Sequence, residues 1–251
     1  MKIIVDNLAV EYADEGTGPV MLMLHGWKDD LHTFDTLTPL LSDSWKIIRL
    51  DLPGFGQSET PQNMQWNLGD YACFVKDFIH KLGFDVDVLL GHSFGGRIVI
   101  KMSATNILHA RKNILIASAG IAKWRTWRNS ILTVIAKIGR IATDLPPFTR
   151  WKRALRHAIY KRIGSDYFAA GALKDTFLNI IKEDLSSAAS AITTPTLLIW
   201  GERDTQTPMS DGARLSQLIH NARLHVINGA GHFVHKEDPQ RVAALIRKFL
   251  S

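Results

Sequence analysis

The six residues Gly91-His92-Ser93-Phe94-Gly95-Gly96 carry the sharpest chemical signal in the chain. One glycine stands two places before the serine and another stands two places after it. That spacing suits a turn so tight that neighbouring backbone leaves no room for a Cβ. The turn follows a short apolar run over 86–90 and opens a helical pattern through Ile98, Val99 and Met102. A serine on such a strand-to-helix turn projects its hydroxyl above the sheet edge, and the helix N-terminus beneath it favours negative charge on a bound oxygen. The hydroxyl is a weak nucleophile at neutral pH. The chemistry therefore asks for a base, which imidazole can supply, and for a carboxylate that fixes the imidazole's tautomer. The plainer alternative is that Ser93 only caps a helix.

The elements that must hold these groups are legible as alternating apolar runs and helical patterns. Residues 2–5 and 8–12 flank an Asp6-Asn7 turn and predict an opening hairpin. Apolar runs at 20–24, 45–50, 86–90, 113–117, 196–200 and 224–227 predict strands buried on both faces, as in a parallel sheet. Helical patterns fall at 31–41, 67–82, 94–104, 210–220 and 239–250. Such alternation predicts an α/β fold, a mostly parallel sheet of about eight strands with helices on both faces. Between 120 and 191 there is helical pattern without any strand signal. That is too long for a plain connection, so a helical insertion is expected after the sixth strand, with residues 1–119 and 192–251 forming the core.

A single cysteine, Cys73, precludes an intramolecular disulfide and fits a reducing compartment. An acid at the sixth residue, Asp6, leaves no room for a secretory apolar region at the start, and no apolar run approaches the ~20 residues of a membrane span. A soluble cytoplasmic protein is expected. The residues suggest neither a cofactor nor a metal ion.

Taken together, the landmarks resemble the α/β-hydrolase superfamily almost from end to end. Leu24-His25-Gly26-Trp27 stands where that family places its oxyanion turn. Asp51-Leu52-Pro53-Gly54-Phe55-Gly56-Gln57-Ser58 matches its D-x-P-G-x-G-x-S loop, and the Ser93 turn its nucleophile elbow. Gly201-Glu202-Arg203-Asp204 and Gly229-Ala230-Gly231-His232 follow the last two strands, where the family carries its acid and its histidine. The resemblance implies Ser93 as nucleophile, His232 as base, Asp204 as acid, and the N–H groups of Trp27 and Phe94 as the oxyanion hole. Glu202 competes with Asp204 and is expected to be a solvated loop residue. His225 should lie within a strand and His235 beyond the loop, while His25 and His92 should hold loops by hydrogen bonds. The 51–58 loop is expected to be structural. Asp30 should cap the following helix, and Lys28 is either solvated or placed at the entrance to favour an anionic substrate.

The implied function is hydrolysis of a carboxylic ester through an acyl-enzyme, as in the small carboxylesterases that include pimeloyl-carrier-protein methyl ester esterases. The same residues could cleave a carbon–carbon bond of a diketone-type substrate or an amide. Serine at the elbow disfavours dehalogenase and epoxide-hydrolase chemistry, whose relatives place aspartate there. A small-molecule receptor with little turnover is the alternative from another class.

The formal charge of +6 is concentrated in the insertion. Lys123, Arg125, Arg128, Lys137, Arg140 and further cations up to Arg162 face one acid, Asp144, with Trp124, Trp127 and Trp151 interleaved. Ile131, Val134, Ile135, Ile138 and Ile141 recur at helical spacing. One reading is a lid helix with its cations in water. Others are an anionic substrate, an acidic carrier protein, or an anionic membrane surface met by a basic amphipathic helix. Nucleic acid is not expected, because no binding motif accompanies the charge.

Overall fold

Asp6 and Asn7 both have positive φ, 48° and 64°, the backbone of a turn that matches the twist of a hairpin. The turn pairs β1 (Lys2–Val5) with β2 (Leu8–Glu15) antiparallel. In the computed structural model, which describes residues 1–62, 65–121 and 173–251, this hairpin edges an eight-stranded sheet. The other strands are β3 (Val20–Leu24), β4 (Lys46–Leu50), β5 (Val86–His92), β6 (Lys112–Ile116), β7 (Thr196–Gly201) and β8 (Ala222–Ile227). Their order is β1-β2-β4-β3-β5-β6-β7-β8, and every pairing from β4 to β8 is parallel. The expected α/β-hydrolase fold is found. β2 runs three residues past the expected Tyr12, and its last two side chains pair with β4: Asp14 with Lys46 at 2.8 Å, and Glu15 with Arg49.

The strands read as unbroken apolar runs because both faces of the sheet are covered. On one face Leu22, Leu24, Ile48, Leu50, Leu89, Leu115, Leu198 and Trp200 pack with Tyr71, Phe74 and Phe78 of α1 (Leu68–Leu82) and Ile98, Val99 and Met102 of α2 (Phe94–Thr105). On the other, Met21, Met23, Ile47, Val88, Leu90, Ile114, Ile116, Leu197 and Ile199 meet Phe34, Leu37 and Leu41, and Val242 and Ile246 of the C-terminal helix. The switch of face at every second residue is the period of a β-strand. Each fully buried side chain of this size contributes ~1.5–3 kcal/mol from removal of apolar surface from water.

The pattern over 31–41 does not form the expected helix. Two short 3-10 turns, Leu31–Phe34 and Thr38–Leu40, stand there instead. Arg49 donates to the Leu31 carbonyl at 3.1 Å in place of a helical N–H, and the Phe34 carbonyl takes the Leu37 N–H at 2.9 Å, three residues on, beside the Thr38 hydroxyl at 3.0 Å. Pro39 has no N–H to continue a ladder. Asp30 does cap the first turn, accepting from the His32 N–H at 2.9 Å.

After β6, residues 122–172 and with them the basic, tryptophan-bearing stretch and its isoleucine stripe lie outside the described residues. The chain is described again from Leu173 and forms α3 (Lys174–Lys182) and α4 (Ser186–Ser190) before β7. Both belong to the core layer over α2, through buried Ile180, Leu185 and Ala189. Beyond β7 come α5 (Met209–Leu218), α6 (Val234–Glu237) and α7 (Pro239–Leu250). Among the described residues no helix is long and apolar enough to cross a membrane.

Candidate active site

Four loops leave the carboxyl ends of β3, β5, β7 and β8 on one rim of the sheet, where ligands of parallel sheets bind. The turn after β3 is held by His25, which is fully buried. Its Nδ1–H donates to the Gly26 carbonyl at 2.7 Å, and its Nε2 accepts the Leu52 N–H at 2.9 Å. Burial pushes its pKa down, so the ring is neutral and ties the β3 turn to the 51–58 loop. That loop is built around Asp51, whose carboxylate accepts from the N–H groups of Leu31 and Gln57, each at 2.7 Å. Asp51 is thus occupied by backbone, consistent with a structural loop.

The Ser93 turn is as tight as its glycines imply. Ser93 has φ 49° and ψ −106°, a strained conformation for a side-chain-bearing residue. A Cβ on Gly91 would lie 2.5 Å from the Gly95 carbonyl carbon and 2.6 Å from the Gly96 nitrogen, and one on Gly95 would strike the Leu24 carbonyl. The strained residue is pinned from both sides. Its N–H donates to the Ile116 carbonyl at 3.0 Å, and its carbonyl accepts from Ala119 at 3.1 Å. Its hydroxyl does not cap α2. The helix-cap reading of Ser93 therefore fails on geometry, since a capping serine needs extended backbone and a bond to the first turn. Among the described residues no acceptor takes the N–H of Trp27 or of Phe94, so both donors are available.

Asp204 and His232 meet across the loops after β7 and β8. These loops are laced together: Arg203 N–H donates to the Ala230 carbonyl at 2.8 Å, and Gly231 N–H to the Glu237 carboxylate at 2.7 Å. His232 Nδ1 lies 2.8 Å from Asp204 Oδ2. Asp204 also accepts from the N–H groups of Gln206 (2.8 Å) and Thr207 (2.9 Å) and from the Thr207 hydroxyl (2.8 Å). Burial works to raise the Asp204 carboxyl, but the bond and charge of His232 and the bonds from Thr207 outweigh it and hold the group below its ordinary value. An ionised Asp204 accepts the Nδ1–H, which leaves Nε2 of His232 bare.

Ser93 and His232 line one cavity of about 240 Å³, with Gly26, Trp27, Lys28 and Asp29 of the β3 turn on its wall. Lys28 is thus at the cavity and not merely on the surface. Trp27 stands edge-on to Phe55 and Phe94, with centroids 4.8 and 5.4 Å away, and against Phe177 of α3 at 5.1 Å. The other histidines fall largely as expected. His225 is in β8, and His92 donates from Nε2 to the His232 carbonyl at 3.2 Å. His235 lies in α6, fully buried and bonded to Thr33 at 3.1 Å; burial pushes it down to about 3. Glu202 is exposed but not merely solvated, because it accepts the Gly229 N–H at 2.8 Å and braces the histidine loop.

Gln206, Phe233 and Asp29 line the cavity and Thr207 reaches both Asp204 and His232, yet none was singled out for these places from the sequence. Phe233 directly follows His232 and Gln206 lies two residues beyond Asp204, so proximity in the chain points to both. For Asp29 and Thr207 no periodic signal exists.

A family model described as the alpha/beta hydrolase family matches residues 21–245. The chain is 27% identical over 267 residues to an uncharacterized hydrolase, YugF, of Bacillus subtilis (strain 168), covering 97% of this chain and 94% of YugF. It is 25% identical over 270 residues to a 2-hydroxymuconate semialdehyde hydrolase of Pseudomonas sp. (strain CF600), covering 100% and 93%. Among solved structures it is similar to a membrane phospholipase A, a bacterial virulence factor, with a TM-score of 0.74 and 25% identity, covering 100% of this chain and 84% of that one. With this match over most of its length, the chain belongs to the alpha/beta hydrolase family.

Proposed function

We propose that the protein is a serine hydrolase that cleaves a carboxylic ester through an acyl-enzyme. In this reading His232 Nε2 takes the proton from Ser93 Oγ as the oxygen attacks the ester carbonyl, and the N–H groups of Trp27 and Phe94 receive the oxyanion. The tetrahedral intermediate expels the alcohol, to which His232 returns the proton. Water then repeats the sequence on the acyl-serine and releases the acid. The observation that carries the reading is the 2.8 Å bond from His232 to Asp204 beside a cavity shared with Ser93. Asp204 fixes the tautomer that leaves Nε2 free to act and stabilises the imidazolium. Among the described residues no hydrogen bond to Ser93 Oγ is found, and in this reading the serine–histidine bond is made in the substrate complex, as catalytic bonds commonly are.

Displacement of a halide is disfavoured on chemical grounds. Attack by a serine on an sp³ carbon leaves an ether, which water at this site cannot release, whereas a carboxylate nucleophile leaves a cleavable ester. A second reading uses the same residues to hydrolyse a carbon–carbon bond. It is favoured by the likeness to a relative named for 2-hydroxymuconate semialdehyde, a conjugated oxo-acid and not an ester. Amide hydrolysis and a receptor role with little turnover are weaker, the latter because binding needs no complete nucleophile–base–acid set. The basic stretch within 122–172 supports an anionic substrate, an acidic carrier protein or an anionic membrane surface as what the enzyme meets.

The test is hydrolysis of p-nitrophenyl esters from acetate to decanoate by the wild type and by Ser93→Ala. Turnover lost in the variant supports the ester reading, and the chain-length optimum sizes the pocket. Absence of turnover on every ester, with hydrolysis of a conjugated diketone acid, selects the second reading.

A further inference from the structure

The Thr207 side chain sits where three loops converge. Its hydroxyl oxygen lies 2.8 Å from Asp204 Oδ2, 3.2 Å from His232 Nδ1 and 3.0 Å from the Ala117 carbonyl. Thr207 is buried, at 6% exposure, so these protein groups are what satisfies it. The Ala117 contact matters most for the geometry of the whole site. Ala117 follows β6 with φ 44°, between Ile116, which accepts the Ser93 N–H, and Ala119, which donates to the Ser93 carbonyl. The hydroxyl therefore stands within hydrogen-bond reach of the stretch that pins the Ser93 elbow, of the acid and of the base. The Thr207 main chain is fixed as well: its N–H donates to Asp204 Oδ1 at 2.9 Å, and its carbonyl accepts the buried Trp200 indole N–H at 2.9 Å.

The hydroxyl has one proton and two acceptors, since neither the Ala117 carbonyl nor an ionised Asp204 can donate. When the proton points to Ala117, a lone pair faces His232 Nδ1–H, which then divides between Asp204 and Thr207. When it points to Asp204, that carboxylate holds two donors on one oxygen. Only the first arrangement bonds the stretch after β6 to the pair: Thr207 then donates to Ala117 and accepts from His232, which still bonds Asp204.

We propose that Thr207 is a positioning residue for the reaction, its hydroxyl locking the Asp204–His232 pair in register with the Ser93 elbow. The inference rests on the serine hydrolase reading above. It distinguishes the hydroxyl from the mere shape of the side chain, because valine keeps the shape and serine keeps the hydroxyl.

The experiment compares Thr207→Val and Thr207→Ser with the wild type by two readouts. One is kcat and KM on the best p-nitrophenyl ester. The other is the rate at which an alkyl fluorophosphonate labels Ser93, where Oγ bonds to phosphorus, fluoride leaves, and the serine proton passes to His232. In Thr207→Val both kcat and labelling should fall by about 10- to 100-fold with KM within about twofold, the size expected for ångström-scale misplacement of a catalytic pair. Thr207→Ser should stay within a few-fold of wild type. Wild-type rates in Thr207→Val, or equal losses in both variants, overturn the proposal. If valine fails to fold, Thr207→Ala, which cannot overpack, replaces it beside serine with the same expectations. A wild type labelled and turning over independently of Ser93 overturns the serine hydrolase reading and the Thr207 role with it, whereas Ser93-dependent activity unaffected by Thr207→Val overturns only the latter.

Discussion

Nδ1 of His232 stands 2.8 Å from Oδ2 of Asp204, although the two residues are 28 apart in the chain and leave different strands. β7 and β8 are neighbours and parallel, so the loops at their carboxyl ends emerge side by side. Gly201 lets those loops close on each other: a Cβ there would lie 2.5 Å from the Ala230 carbonyl oxygen. Asp204 is thereby held as an ionised acceptor whose other bonds come from Gln206 and Thr207.

Asp204→Asn should keep the fold and lose the tautomer. An amide can donate to Nδ1, which puts the imidazole proton on Nε2 and removes the base. A fall in kcat of ~10³–10⁴-fold is expected on p-nitrophenyl esters, with thermal unfolding close to wild type. A loss below about tenfold would mean that another group orients His232.

Gly91→Ala and Gly95→Ala should each disrupt the elbow, because the added methyl meets backbone and not a flexible side chain. Labelling of Ser93 by a fluorophosphonate should be abolished, and Tm should drop in both. A folded, fully labelled Gly95→Ala protein would contradict the close approach of α2 to the Leu24 carbonyl.

The elbow was the part of the site most legible in the sequence, because glycines at fixed offsets report a backbone constraint directly. The sheet was legible for a similar reason: runs such as Met21–Leu24 and Leu197–Trp200 are apolar on both faces, which only a doubly covered strand requires. Residues 31–41 have apolar spacing that fits a helix, but Arg49 occupies the Leu31 carbonyl and Pro39 has no N–H to continue a ladder. Thr207 and Asp29 could not be found, because their contacts come from loops whose paths no periodicity encodes. Glu202 is an exposed loop residue as expected, but its bond to the Gly229 N–H on the neighbouring loop has no signal in the sequence.

His25→Ala should remove a hinge pin between two loops. It orphans the buried Leu52 N–H and leaves the Gly26 carbonyl with the Asp29 N–H at 3.3 Å. A stability loss of ~1–3 kcal/mol is expected from the unsatisfied N–H, measurable by urea unfolding, together with reduced kcat because Trp27, proposed to receive the oxyanion, lies in the same turn. Stability and kcat both equal to wild type would rule out this bracing role.

Stability should fall on mild acidification. His25, His92 and His235 are buried and their pKa values are pushed down by that burial, His235 to about 3. In the unfolded chain each takes a proton near pH 6.5, while the folded protein does not. Below pH 6.5 the unfolded state therefore binds more protons, and folding stability declines as pH drops, by up to ~1.4 kcal/mol per pH unit per histidine. For His235 the decline continues until its folded form titrates near 3. Unfolding midpoints measured between pH 7 and 5 should fall, and His235→Gln should reduce the slope by about one proton. A slope identical in wild type and variant would contradict the assignment.

Whether Ser93 carries the acyl group is measured directly by rapid mixing with a p-nitrophenyl ester followed by mass spectrometry of the quenched protein. A nitrophenolate burst matching the enzyme concentration and an added acyl mass on the peptide containing Ser93 are expected, both lost in Ser93→Ala. An acyl group on another residue, or undiminished turnover in Ser93→Ala, would contradict Ser93 as the carrier.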